Sequence, residues 1–258
     1  MQSLDNFDGT IPLIEKLIEN VDFQGLKLRL SESTLFDVLG ISFEERIHSK
    51  MLGWLLNPSE SHGLGDGLLR PFLYAAAKLY ADAKRAGSVH SDQNIHAMTP
   101  LQAATYSFPD LRIDPEYPLP SARRPDMVLW SAREKWLCVI ENKILAGEGE
   151  QQTTAYYEEM LSSFSVAKFE SRLFVYLSPK GSAPESTHFV GMSYSVILNL
   201  LSELSKSASG LGRIGIDQYV KCLRGQVVGP EALRDICWKL YRNHYRAIKT
   251  ILDRKSTV

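Results

Sequence analysis

The chain has 258 residues, 29 Lys/Arg against 30 Asp/Glu, and an apolar fraction of 44%. That is enough for one large domain with a sizeable core, and a net charge near zero excludes a globally basic nucleic-acid binder, so any polyanion must be met by a local patch. Three cysteines without CxxC spacing (Cys138, Cys222 and Cys237) argue against a disulfide scaffold or structural zinc site and fit a reduced, cytoplasmic protein with buried thiols.

No apolar run is long enough for a membrane span, and the first residues lack a secretory pattern. Residues 12–20 predict a short helix with Pro12 in its first turn, expected to pack on the core. Residues 32–57 read as helical with a break near Gly40. The second piece places Ile47, Met51, Trp54 and Leu55 on one stripe and stops at Pro58. Ser42-Phe43-Glu44-Glu45 also fits a capping box, in which Glu45 would bond its own helix N-terminus. Residues 66–86 predict a helix buried through Leu68, Leu69, Phe72, Leu73, Ala76 and Leu79 and stopped by Gly87. Residues 87–109 read as a long polar loop, with a strand around 103–108 as the alternative. Residues 110–119 predict a short edge strand, because Pro115 interrupts it.

The most informative stretch follows. Apolar runs at 127–130 and 136–140 flank polar residues 131–135, a strand, turn, strand pattern. Both faces of the runs are apolar, which predicts interior strands covered on both sides. Alternation puts Glu141 and Lys143 on one face. A hairpin symmetric about Arg133 and Glu134 sets Asp126 opposite Glu141. Like charges facing across a strand pair are destabilising. A divalent cation would compensate, and so in part would Lys143. Glu148, Gln152 and Tyr156 recur at i+4 steps and predict one face of a helix over 148–163.

Residues 172–177 predict a strand parallel to its predecessor through a right-handed crossover. The turn after it lies where α/β sites gather, which makes Lys180 a candidate phosphate contact. Residues 193–206 read as helix, 207–215 as a Gly/Ser-rich connector, and 217–224 and 231–254 as helices. The last has an apolar side of Leu233, Ile236, Leu240, Ala247 and Ile251. Its other side carries Lys239, Arg242, Arg246 and Lys249, a stripe suited to a phosphate backbone or to solvent.

Pro125-Asp126, Glu141-Asn142-Lys143 and Gln152 followed by Tyr156, in that order and with those intervening strands, resemble the PD-(D/E)xK nuclease superfamily over roughly residues 33–180. Glu45-Arg46-x-His48-Ser49, the apolar run 52–56, Asn57-Pro58 and His62-Gly63 resemble the leading helix of one of its subgroups. The resemblance implies an α/β fold: a small mixed sheet of about four strands in an αβββαβ core, flanked by helices, with helical N- and C-terminal additions in a single domain. It implies metal-dependent phosphodiester hydrolysis in nucleic acid, DNA rather than RNA, with bacterial defence as a setting.

Asp126 and Glu141, with Glu45 and the Asn142 carbonyl, would then hold Mg²⁺ or Mn²⁺. Lys143 would position the attacking water and stabilise developing charge. Gln152 would orient Lys143 or the water, and Tyr156 would support it. Arg123, Arg124, Lys180, Lys239, Arg242 and Arg246 would meet phosphates. His48 and His62 are weaker candidates. Two alternatives stay open: a nuclease fold that binds nucleic acid without cutting, and a protein-interaction subunit of a larger defence or restriction assembly. A homodimer or a partner protein is compatible with either.

Overall fold

The computed structural model describes residues 10–31, 33–89, 96–145, 147–165 and 168–255. The strands are β1 (His96–Ala97), β2 (Arg112–Pro115), β3 (Met127–Ser131), β4 (Trp136–Asn142), β5 (Ser171–Ser178) and β6 (Val190–Ser193). They form one mixed sheet in the order β1-β5-β4-β3-β2, with β6 also paired to β5. β2, β3 and β4 are antiparallel neighbours, whereas β5 runs parallel to β4, β1 and β6. This is the expected α/β architecture with two more strands than expected. Both extra strands lie along the outer edge of β5, β1 at Ser171–Arg172 and β6 at Val175–Ser178.

The hairpin has the symmetric register. Met127 pairs with Ile140 and Ser131 with Trp136, so the ladder runs out with Asp126 across from Glu141. Every residue of β4 and β5 is buried, as strands covered on both faces require. On one face Leu129, Cys138, Ile140, Leu173 and Val175 join the larger core. That core is built with α4 (Glu45–Leu56), α5 (Leu69–Arg85), α8 (Tyr194–Leu204) and α9 (Gly210–Cys222). On the other face Val128, Leu137, Val139 and Phe174 pack under Tyr156, Tyr157 and Met160 of α7 (Gln152–Ser163). Alternation thus assigns Glu141 to the α7 face and its neighbour Asn142 to the α4 face.

Several local expectations change. Residues 100–105 form a helix, α6 (Pro100–Thr105), in place of the loop or strand. Thr99 and Gln102 make a reciprocal capping box and Pro100 enters the first turn, which satisfies the orphan amides. The remainder of that loop at 90–95 lies outside the described residues. α7 starts at Gln152, so Glu148 is not on it. Its carboxylate instead accepts from Thr153 N–H and Oγ1 and from Glu185 N–H, tying the preceding loop to the helix start.

The Gly/Ser-rich connector proves to be the beginning of α9. A Cβ on Gly212 would lie 2.4 Å from the His62 carbonyl oxygen, so this helix turn and the loop at His62 approach as only glycine permits. The glycines read as helix breakers because the reason for one of them is tertiary.

α1 (Ile11–Ile18) and α2 (Val21–Ser31) do not cover the sheet core. They pack on the kinked C-terminal α10 (Gly229–Lys255), where Leu17, Leu240 and Ala247 form a small separate cluster. Among the described residues no helix is long and apolar enough to cross a membrane. Cys138 and Cys222 are buried, but Cys237 is exposed, against the expectation of three buried thiols.

Candidate active site

The carboxylates and the lysine meet where β3 begins and β4 ends. Asp126 Oδ2 accepts the Asn142 backbone N–H at 2.8 Å, which closes the open end of the hairpin. Glu141, 2% exposed, turns toward α7. Its Oε1 accepts from Gln152 Nε2 at 2.7 Å and from Lys143 Nζ at 2.9 Å. Lys143 Nζ lies 4.0 Å from Glu45 Oε2. Glu45 stands at the first turn of α4, and its Oε1 accepts the Ile144 N–H at 3.0 Å. The capping-box alternative is therefore not what the helix adopts: Glu44 is the N-cap residue, without a side-chain cap bond, and the Glu45 carboxylate reaches across to the end of β4.

Asn142 was expected only through its carbonyl. Its side chain is the joint between the sheet and α4. Nδ2 donates to the Glu45 carbonyl at 3.2 Å and to Ser49 Oγ at 3.1 Å, and Oδ1 accepts from Tyr194 OH at 2.7 Å. Sequence reading missed Ser49 and Tyr194 in this role. Ser49 was visible within the leading-helix motif, but nothing local marks Tyr194.

Gln152 does not reach Lys143 directly, against one of the two expected roles. It donates to Glu141 and to Tyr156 OH at 3.0 Å, and Tyr156 OH donates to the Arg124 carbonyl at 2.9 Å. α7 thereby ties the strand leading to Asp126 to the strand carrying Glu141.

The electrostatics match this crowding. Burial first, and then the charge of Asp126, push Glu141 up to about 8, with Lys143 pulling the other way. Burial also raises Asp126, opposed by the Asn142 N–H and Lys143 and reinforced by Glu45. Burial disfavours the charge on Lys143, but Glu141, Glu45 and Asp126 outweigh it and raise its pKa. The cluster carries three carboxylates for one ammonium. Glu141 Oε2 is buried and has no hydrogen bond of ordinary geometry among the described residues, although the Asp126 amide and carboxyl lie close enough to act on this side chain. An unsatisfied buried carboxylate oxygen in an acid-rich cluster suits a hard divalent cation. Among the described residues no three or more His, Cys, Asp or Glu side chains are gathered closely enough to hold a metal ion as they stand, and Lys143 lies between these carboxylates.

The other expected residues divide. Arg123 and Arg124 are exposed on the segment entering β3, just before Asp126 in the chain, and the Arg123 charge acts on Glu159 of α7. Lys180 lines a cleft of about 440 Å³ together with Ile144 and Leu145, which follow Lys143 in the chain, and Gln226–Val228. Arg242 and Arg246 are exposed on α10. Lys239, also on α10, is occupied: its Nζ lies 2.7 Å from Asp22 of α2, which gives it a structural partner in place of a phosphate. His48 points into the core, between the Ser42 carbonyl at 2.9 Å and Tyr219 OH at 3.1 Å. His62 is held in its own turn by the Asn57 carbonyl and the Leu64 N–H. Neither histidine hydrogen-bonds a carboxylate of the cluster, although the Glu45 charge acts on His48.

A mixed sheet with an Asp, a Glu and a Lys converging at the end of its central hairpin, backed by a helix on each face, defines the restriction-endonuclease-like class of α/β fold. The family model described as PD-(D/E)XK nuclease superfamily matches residues 34–243, and the chain belongs to that superfamily. No curated protein and no solved structure matches it.

Proposed function

We propose that this nuclease-family protein is a metal-dependent phosphodiesterase that cuts nucleic acid, DNA in preference to RNA, with Mg²⁺ or Mn²⁺. The observation that carries this reading is the buried Glu141 carboxyl crowded with Asp126, Lys143 and Glu45, its Oε2 without an ordinary hydrogen bond among the described residues. Asp126, Glu141 and Glu45 would hold the cation, with the Asn142 carbonyl as a further oxygen donor. When bound, the cation supplies Lewis acidity and lowers the pKa of a coordinated water.

The chain's own groups do the rest. Lys143, kept cationic by its three carboxylate neighbours, donates to the water and to the non-bridging phosphate oxygens as charge builds on them. Gln152 holds Glu141 Oε1 and so aims its other oxygen. The Glu45–Ile144 bond steadies the third carboxylate. Arg123 and Arg124 take the incoming backbone at the rim, and Lys180 takes it along the cleft. An intact Asp, Glu and Lys set supports cleavage over a binding-only role. The free cysteines suit a reducing cytoplasm, and the family resemblance suggests defence as the setting.

The test is incubation of the purified protein with plasmid, linear duplex and single-stranded substrates in Mg²⁺, Mn²⁺ or EDTA. Cleavage is expected with either cation and none in EDTA. Cleavage that persists in EDTA, or its absence on every substrate with both cations, would remove the reading.

A further inference from the structure

α10 bears a surface that the catalytic cluster does not use. Trp238, Tyr241 and Tyr245 recur at i, i+3 and i+7 and are 57%, 40% and 44% exposed. Their rings form a continuous ladder with centroids 5.9 and 5.2 Å apart, each pair nearly perpendicular. Large aromatic side chains left in water at helical spacing are unusual unless something covers them.

The flank of the ladder is basic. Lys249 Nζ lies 5.9 Å from the Tyr245 ring centroid. Arg242 and Arg246 are exposed on the adjoining face, and among the described residues neither is ion-paired. Between residues 229 and 255 the chain has seven Lys/Arg and three Asp/Glu, whereas the rest of it is net acidic.

The charge selects the occupant. In an interface between two copies of this face, Arg242, Arg246 and Lys249 would bring like charges together, which repulsion opposes. A polyanion is attracted, and one with exposed planar bases also covers the rings. Aromatic platforms edged by cations bind single-stranded nucleic acid by stacking bases while the cations follow the phosphates. In duplex DNA the base faces are already stacked on each other and closed to such a surface. Ile144, the residue after Lys143, and Val228, the residue before α10, line one cleft.

We propose that the Trp238–Tyr241–Tyr245 face of α10, flanked by Arg242, Arg246 and Lys249, is a binding platform for unpaired nucleotides. It makes the substrate a nucleic acid with a single-stranded segment, and in naming that substrate class it rests on the nuclease reading.

The test compares binding of a 5′-labelled oligo-dT and a duplex of equal length by the full chain in EDTA, across a salt series. Wild type should favour the single strand. Trp238→Ala with Tyr241→Ala and Tyr245→Ala should weaken single-strand binding by about tenfold per stacked base lost, with little change in salt slope. Trp238→Phe with Tyr241→Phe and Tyr245→Phe should restore it, which separates stacking from a folding defect. Arg242→Gln with Arg246→Gln and Lys249→Gln should instead flatten the salt slope.

Equal affinity for both substrates with no effect of the alanine triple would overturn the platform. So would a dimer in sedimentation that the alanine triple dissociates, since that assigns the face to protein. Cleavage by wild type alongside either result leaves the nuclease reading standing. Ring-dependent single-strand binding without cleavage in any cation supports the platform and removes the nuclease reading.

Discussion

The side chain of Asn142 is expected to be worth more to this fold than its place between two charged motif residues suggests. Asn142→Ala removes three hydrogen bonds: Nδ2 to the Glu45 carbonyl, Nδ2 to Ser49 Oγ, and the Tyr194 hydroxyl to Oδ1. The losses are unequal. Ser49 Oγ still donates to the Glu45 carbonyl at 3.0 Å, so both of those groups keep a partner. Tyr194 is fully buried and loses its acceptor on Asn142, which leaves its hydroxyl to Tyr219 alone. Each bond lost is worth about 0.5–1.5 kcal/mol. The three together come to about 1.5–4.5 kcal/mol, a large share of a typical net stability of roughly 5–15 kcal/mol. Urea denaturation measures it, and the m-value should stay unchanged. Tyr194→Phe removes the same Tyr194–Asn142 bond, so the double variant should be less destabilised than the sum of the singles by about 1 kcal/mol. Strict additivity, or a loss below about 1 kcal/mol for Asn142→Ala, would refute the reasoning.

Glu45→Gln keeps an oxygen for the Ile144 N–H and removes the charge, so calorimetric Mn²⁺ affinity should fall while the melting temperature barely moves; a large drop in melting temperature with normal affinity would restore a purely structural role. Glu141 makes the metal-free protein pH-sensitive. Its folded-state pKa stands at about 8 against an ordinary 4.5, so the folded state holds a proton that the unfolded chain releases. That contribution to stability is fully present below the ordinary value and is lost as pH rises through about 8. Melts in EDTA should therefore fall over this window, and saturating Mg²⁺ should abolish the fall; a rise instead would contradict the assignment. Gly191→Ala places a Cβ 2.5 Å from the Ser182 carbonyl oxygen and 2.8 Å from that of Gly181. It should cost about 1–3 kcal/mol and loosen β6 beside the Lys180 turn, measured by chemical denaturation and by amide exchange at Met192.

Much of the site was readable because strand alternation is rigid. Once the hairpin was centred between Arg133 and Glu134, Asp126 had to face Glu141, and Lys143 had to share the Glu141 face. The rest depends on contacts with no local signature. Alternation sends Asn142 to the opposite face, but which helix waits there is a tertiary fact. Glu45 satisfied two local rules at once, a cap and a site, and only the reach to Ile144 separates them. β1 and β6 are two and four residues long, too short for a periodicity to develop. The glycines at the start of α9 looked like a linker because the requirement at Gly212 comes from the loop at His62. Lys239 looked like its neighbours on the basic stripe, and only the packing of α2 on α10 reveals Asp22 beside it.

The most direct test of the central claim separates the carboxylates from the lysine within one experiment. Wild type, Asp126→Asn and Lys143→Ala are melted with and without Mn²⁺ and assayed on the same labelled substrate. Wild type should gain melting temperature with Mn²⁺ through linkage and cut. Asp126→Asn should lose the thermal shift and the cleavage together. Lys143→Ala should keep the shift and lose turnover by orders of magnitude, as removal of transition-state stabilisation requires. A thermal shift that survives Asp126→Asn, or cleavage that survives Lys143→Ala, would contradict the account.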